Sequence, residues 1–182
     1  MVEILSLQKQ FILNHLSAGD IAVDFTMGNG HDTEFLSRTV GENGRVYAFD
    51  IQSAALESTR ARLTASGCPN NYILIQDSHH HADRYIKTKI KAGMFNLGYL
   101  PGGDKRITTL RQTTLPAVDF AISALEDTGI IIVTVYPGHA EGAAEGELLT
   151  ERLSKLDRKS LCVSKFQILN SPSSPYFIII EK

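Results

Sequence analysis

The stretch Ala22-Val-Asp-Phe-Thr-Met-Gly-Asn-Gly-His-Asp-Thr33 constrains this chain more than any other. Apolar residues run into an acid, a glycine-rich turn follows, and a helix start comes next. That order belongs to the first strand, tight loop and helix N-terminus of a doubly wound α/β domain. Gly28 and Gly30 lack side chains, so the backbone there can bend sharply and approach a ligand.

The same loop discriminates among ligands. A dinucleotide fingerprint wants a third glycine where Thr33 stands, and it seats a pyrophosphate on the helix N-terminus. Asp24 and Asp32 would set two carboxylates against that diphosphate, each close contact costing on the order of a few kcal/mol. S-adenosylmethionine carries an ammonium and a sulfonium and no phosphate, so a loop flanked by carboxylates suits it better. Taken alone, Asp32 also reads as an acidic first-turn residue favoured by the helix dipole.

A length of 182 residues fits one domain, expected over 1–182. The net charge of -2 does not select nucleic acid as a partner, although a local basic face can still bind it. Cys68 and Cys162 belong to no metal or redox spacing and read as small, semi-buried residues of a reducing compartment. No secretory signal and no apolar run of membrane-spanning length is visible, so a cytoplasmic location without a membrane partner is expected.

Periodicity predicts helices over Ile4–Ser17, Asp32–Val40, Ser53–Ala65, Ala82–Lys89, Thr113–Leu125 and Glu145–Asp157. Strands are predicted over Ile21–Phe25, Arg45–Phe49, Tyr72–Ile75, Gly93–Phe95, Gly129–Tyr136, Leu161–Leu169 and Tyr176–Glu181. Asn170-Ser-Pro-Ser-Ser-Pro175 is too short for a crossover helix, so the last two strands should be antiparallel. His15 falls near the end of the first helix, where it caps the last carbonyls or faces the pocket.

In such a sheet the carboxyl ends of the strands line one crevice. Asp50 closes the second strand twenty residues beyond Gly30, where a nucleotide fold places the acid that binds a ribose diol. A helix cap is its other reading. Asp77 and Ser78 arrive where an adenine edge would sit. His79 to His81 invite a metal, yet adjacent residues point apart and no Cys or acid completes a set, so no metal is expected. Asn96 follows apolar Met94 and Phe95 at the fourth strand tip, Tyr99 follows on a glycine pivot, and Tyr136-Pro-Gly-His139 forms another wall.

Five motifs together give the chain a family likeness: DFTMGNGHDT at 24–33, YAFDIQ at 47–52, QDSHH at 76–80, MFNLGYLPGGDK at 94–105 and VYPGHAEG at 135–142. With them the chain resembles class I S-adenosylmethionine-dependent methyltransferases, whose Rossmann-like sheet ends in an antiparallel strand pair. More narrowly it is similar to the bacterial rRNA methylase family (YtqB-like, MnmM-type), across nearly the whole chain. The resemblance implies methylation of the exocyclic amine of 5-aminomethyl-2-thiouridine at the tRNA wobble position. It adds Asn29, Gln52 and His79 as contacts of S-adenosylmethionine to the Asp32, Asp50, Asp77 and Ser78 already marked. Asp24, Thr26, Gly28, Gly30 and Thr33 complete the expected cofactor cradle, and Asn96 touches both cofactor and substrate.

On that reading Asn96, Tyr99 and His139 carry the chemistry. Asn96 Oδ1 would accept the amine's hydrogens, and Tyr99 would stack on the base. His139 or His79 would assist with the proton. NLGY at 96–99 resembles the Asn-Pro-Pro-Tyr loop of other amino methyltransferases but lacks both prolines. Asn96 also reads as a loop-stabilising amide. Lys87, Lys89 and Lys91, with Lys105, Arg106 and Arg111, are candidate phosphate contacts for a tRNA anticodon loop or simply solvated charges. A homodimer would enlarge such a surface. The alternatives are methylation of rRNA or a small-molecule amine with the same cofactor, and, from another class, an NAD-dependent oxidoreductase.

Overall fold

Seven runs of apolar and β-branched residues extend into strands: β1 Ile21–Asp24, β2 Arg45–Asp50, β3 Tyr72–Gln76, β4 Ile90–Asn96, β5 Leu125–Val135, β6 Cys162–Phe166 and β7 Tyr176–Glu181. In the computed structural model, which describes residues 3–182, they form one sheet of order β3-β2-β1-β4-β5-β7-β6. The first five are parallel, and β7 pairs antiparallel with both β5 and β6. The helices between them are α1 Ile4–Leu13, α2 His31–Val40, α3 Ser53–Ala65, α4 Ala82–Tyr85, α5 Arg111–Ala124 and α6 Ala140–Leu153.

Strand alternation sorts the core into two layers. Val23, Phe25, Ile131, Val133, Val135, Ile178 and Ile180 face the α4, α5 and α6 side, meeting Ala117, Ala121 and Leu149. Ala22, Met94, Ile130, Ile132, Phe177 and Ile179 face the other side, meeting Ile12 of α1 and Leu36 and Val40 of α2. Burial of each such large side chain contributes about 1.5–3 kcal/mol, so the central strands hold the domain together. Among the described residues no helix is long and apolar enough to cross a membrane. Cys68 and Cys162 are half-buried and unpaired.

The expected doubly wound sheet with its antiparallel end is present, and the α3 boundaries coincide with those expected. Several other boundaries move. Helix α4 stops at Tyr85 rather than Lys89, because buried Ile86 is already extended (ψ 112°) and Ile90 and Ala92 enter the sheet. Strand β4 therefore starts three residues before the expected Gly93. Strand β5 begins directly at Leu125, and a register shift precedes its regular pairing, with Thr128 at φ 63°. Helix α6 begins at Ala140, five residues before the expected Glu145, and ends at Leu153. His15 neither caps α1 nor faces the pocket; its ring lies against Thr128 O (2.9 Å) and Glu181 (3.2 Å).

Candidate active site

Because the first five strands run parallel, their carboxyl ends open into one cleft of about 1060 Å³. The glycine loop forms its floor. Gly28 and Gly30 sit at φ 50° and 80°, and a Cβ on Gly30 would fall 2.8 Å from Thr59 Oγ1. Asn29 stitches this loop to its surroundings: its Nδ2 donates to Pro101 O (3.1 Å), and its Oδ1 accepts from Ser58 Oγ (3.1 Å).

Asp24 lies beneath that floor. It is fully buried, accepting from Thr33 Oγ1 (2.7 Å) and Thr26 N (3.1 Å). Burial, then the nearby Asp32 charge, pushes its carboxyl up to about 7. Asp24, Gly30 and Thr33 do not line the cleft, so they shape the loop from below, whereas the other expected cradle residues reach its surface.

At the tip of β2, Asp50 accepts from Gln52 N (2.9 Å) and Gly28 N (3.1 Å), and burial raises its pKa. Each of its oxygens keeps a lone pair for a diol. Beyond β3, Asp77 accepts from Ser78 N, His81 Nδ1 and Tyr85 Oη at 2.7–2.9 Å, and the His81 bond first of all holds its carboxyl down to about 2. His79 is buried and its Nδ1 donates to Phe25 O (3.1 Å), which leaves Nε2 as an acceptor with no partner among the described residues. Burial pulls its pKa down to about 4, so the ring is neutral. The His79 ring turns to Phe25 O, whereas the His80 and His81 rings lie 3.7 Å apart and bond Ser78 and Asp77.

The tip of β4 is tied to the glycine loop and to α2 by hydrogen bonds. Asn96 N donates to Thr26 Oγ1 (2.7 Å), and Asn96 Nδ2 donates to Asp32 Oδ2 (2.5 Å). A carboxylate can only accept, so Asp32 fixes which end of the amide it holds. Asn96 Oδ1 is thereby left buried and unpartnered among the described residues. The other oxygen of Asp32 lies 3.4 Å from Lys9 Nζ on α1.

Beyond Asn96 the chain loops out and returns, closed by a Tyr99–Thr108 bridge and by Thr109 N donating to Gly98 O (2.9 Å). Tyr99 is exposed at the rim, with Lys105 Nζ 5.5 Å above its ring and the His139 ring 6.1 Å away. Gly98 N donates to Thr109 Oγ1 (2.9 Å), Thr109 Oγ1 donates to Glu145 Oε2 (2.8 Å), and Thr114 Oγ1 donates to Glu145 Oε1 (2.6 Å). Glu145 is buried on α6 and its pKa is raised by that burial. His139 caps α6: Gly142 N donates to Nδ1 (3.1 Å), so the neutral ring carries its proton on Nε2.

Sequence reasoning missed Lys9 and Glu145, since neither stands in a local motif. It also grouped two basic clusters that the fold separates. Lys89 and Lys91 donate to Ser123 O and Thr128 Oγ1 at the amino end of β4, away from the cleft, while Lys105 and Arg111 flank the Asn96 loop. Arg106 is engaged by Asp104 (2.7 Å) and Arg111 by Glu141 (3.7 Å).

The insertion of antiparallel β7 between β5 and β6 departs from the 3-2-1-4-5-6 order of dinucleotide-binding folds. The chain is similar to several known proteins. The solved structure of a "putative rRNA-methylase" from Clostridium thermocellum is 40% identical, with a TM-score of 0.96 over 100% of this chain and 98% of that one. A "putative methyltransferase" from Streptococcus mutans, solved in complex with SAH, is 34% identical at a TM-score of 0.90, with the same coverage. The chloroplastic tRNA (mnm(5)s(2)U34)-methyltransferase of Arabidopsis thaliana is 37% identical over 177 residues, 92% of this chain. This chain matches 65% of that relative's length. A family model described as "Putative rRNA methylase" matches residues 46–182, and the protein belongs to that family.

Proposed function

We propose that this protein transfers the methyl group of S-adenosylmethionine to the exocyclic amine of 5-aminomethyl-2-thiouridine at the wobble position of tRNA, giving 5-methylaminomethyl-2-thiouridine. The observation that carries this reading is the Asn96 amide of the cleft lining, whose nitrogen is taken by Asp32 and whose oxygen is buried and unpartnered among the described residues. A primary amine is a donor that such an acceptor can orient. The substrate is supported by the name of the Arabidopsis relative, and the cofactor by the SAH held in the Streptococcus mutans relative.

The cleft's own chemistry fits that cofactor. Asp50 keeps acceptor capacity for a ribose diol, and His79 Nε2 is a buried acceptor without a partner among the described residues. Asp32 and Asp50 bias the floor toward positive charge and against a pyrophosphate. S-adenosylmethionine, when bound, supplies a methyl group activated on a positively charged sulfur.

The protein's part is placement. Asn96 Oδ1 accepts an N–H of the amine and turns the nitrogen lone pair into the cleft. The amine nitrogen would form a bond to the methyl carbon as that carbon's bond to sulfur breaks, leaving a neutral thioether, and the ammonium so formed gives its proton to water afterwards. No resident base is needed. His79 is too weakly basic for that task, and His139 presents an N–H, so it acts as a donor toward the substrate base. Tyr99 offers a stacking face, and a wobble nucleotide is unpaired, so little unstacking energy is required. Lys105 and Arg111 lie where flanking phosphates would pass.

We place the activity in the cytoplasm with its tRNA, and a homodimer would widen the RNA-contact surface; sedimentation of the purified protein tests the latter. The functional test is nucleoside mass analysis of tRNA from cells lacking the protein. The 5-aminomethyl form should accumulate, and purified protein with S-adenosylmethionine should convert it. An unchanged nucleoside profile would sink the assignment.

A further inference from the structure

We propose that Thr108 and His139 form a subsite that reads the edge of a uracil-type pyrimidine. His139 donates to the ring carbonyl beside the amine-bearing carbon, and Thr108 accepts from the ring N–H next to it. This deepens the amine-methylation reading and rests on it. Among the described residues five buried side-chain polar atoms lack a partner, and four of them belong to residues that line the cleft: His79 Nε2, Asn96 Oδ1, Thr108 Oγ1 and His139 Nε2. A buried polar atom left unpaired is costly, so this concentration marks a place where a ligand completes the bonding. The proposed cofactor takes His79 and the proposed amine takes Asn96. Thr108 is left without a role, and His139 without a partner atom.

The backbone brings both residues close to Asn96. Thr108 pairs with Tyr99 across an antiparallel bridge. Its neighbour Thr109 holds Gly98 twice, its N–H donating to Gly98 O and its Oγ1 accepting from Gly98 N, each at 2.9 Å. A Cβ on Gly98 would fall 3.9 Å from His139 Nε2, so the imidazole lies against the same step of chain, two residues beyond Asn96. One wall of the cleft thus carries all three side chains.

Their hydrogen-bonding characters select the ring. Because His139 Nδ1 accepts from Gly142 N, Nε2 is a donor, and it cannot become an acceptor without giving up the cap of α6. A threonine hydroxyl can give or take. In a uracil with an aminomethyl group at C5, the neighbouring ring atom on one side carries the O4 acceptor, followed by the N3–H donor. The neighbour on the other side is an apolar C–H. An amine held at Asn96 Oδ1 therefore brings an acceptor and then a donor to this wall. Cytosine presents the reverse order, and its exocyclic amino group would set donor against donor at His139.

The test is methyl transfer to two synthetic anticodon stem-loops that differ in one base, 5-aminomethyluridine or 5-aminomethylcytidine. The wild-type protein should favour the uridine form by about 10²-fold in kcat/KM, the effect of a donor and an acceptor left mispaired. Thr108→Val keeps the shape and should cut that preference about tenfold. His139→Leu should bring it to within a few-fold, and His139→Gln, whose amide offers an N–H, should restore part of it. S-adenosylhomocysteine affinity in calorimetry should stay within about twofold throughout. Should His139→Leu lose that affinity with its helix cap, Thr108→Val decides the matter. Variants that slow both stem-loops equally and keep the preference would make these residues structural and overturn the proposal. A wild-type protein without a preference also overturns it, while leaving amine methylation standing. Methylation of neither stem-loop would bring down the proposed function itself, and this subsite with it.

Discussion

At the level of single residues, the proposed catalysis by placement demands that an amide oxygen, not an amide nitrogen, meet the substrate amine. Asparagine cannot enforce that alone, because its two ends have nearly the same shape. Asp32 breaks the symmetry by accepting from Nδ2 at 2.5 Å, and Thr26 pins the backbone of the same residue. Asn96→Ala should therefore lower turnover by at least ~10²-fold while S-adenosylhomocysteine affinity survives in calorimetry. Asp32→Asn should lower turnover comparably, since an amide partner tolerates either orientation of Asn96. Unchanged turnover in Asn96→Ala would remove that residue from the mechanism. His79 gives a second expectation at this scale. Its folded pKa of about 4 lies below the ordinary 6.5, so between those values the unfolded chain binds the extra proton. The stabilisation from keeping the ring neutral is present above pH 6.5 and lost as pH falls toward 4, roughly 3 kcal/mol at most. Buried Asp24, raised to about 7, works in the opposite sense, losing its contribution as pH rises from 3.8 through 7. The informative measurement is therefore a difference: the melting advantage of wild type over His79→Gln should shrink steadily from pH 6.5 to 4. A constant difference would mean the ring is not held neutral.

Among the elements, the loop after β4 and helix α6 act as one unit. Glu145 is a buried carboxyl that ties two threonines, and Thr109 passes that hold on to the Gly98 amide, two residues from Asn96. Thr109→Val keeps the shape and removes both bonds, leaving a buried N–H and a carboxyl oxygen unsatisfied. We expect kcat/KM for tRNA to fall by about tenfold through poorer loop placement, with S-adenosylhomocysteine affinity unchanged. Equal losses for both ligands would reduce Thr109 to a general structural role. The same unit explains why the sequence was legible in some places and opaque in others. Alternating apolar residues in β5 and β7 face two helical layers, so their strand character is written locally. Asp50 and Asn96 sit at strand tips, where topology alone assigns them to the cleft. The start of α6 is different. Gly142 and Gly146 look like helix breaks, yet a Cβ there would fall 2.3 Å from Tyr136 O and 2.2 Å from Tyr176 Oη. Gly146 is set by close packing of the helix on β5 and β7, and Gly142 by the turn from Tyr136 to His139, which no local pattern announces. Lys9 and Glu145 are opaque for a related reason, since their meaning comes from partners on other elements.

Over the whole molecule, the question is how a protein with net charge -2 would hold a polyanion. The distribution of charge matters more than its sum. Lys91 lies near the amino end of β4, five residues before Asn96, which at the rise of a strand is roughly 16 Å from the cleft. Lys89 and Lys91 are occupied there by carbonyl and hydroxyl oxygens of the α5–β5 junction. Lys105 stands over the Tyr99 ring and Arg111 opens α5, both beside the mouth that the proposed substrate base would enter. If the RNA follows that mouth, Lys105→Glu with Arg111→Glu should weaken tRNA binding strongly. The slope of log affinity against log salt should also flatten, by about 0.7 for each phosphate of a single-stranded segment that is no longer neutralised. Lys89→Glu with Lys91→Glu carries the same change in net charge and should leave that slope unaltered, because it acts at the opposite end of the sheet. Filter binding of tRNA across a salt series separates the two. Equal effects from both pairs would mean that overall charge, rather than a docking surface at the cleft, governs association. A flat profile in the wild-type protein would point to a small amine as the substrate, since counterion release is the mark of a phosphate backbone.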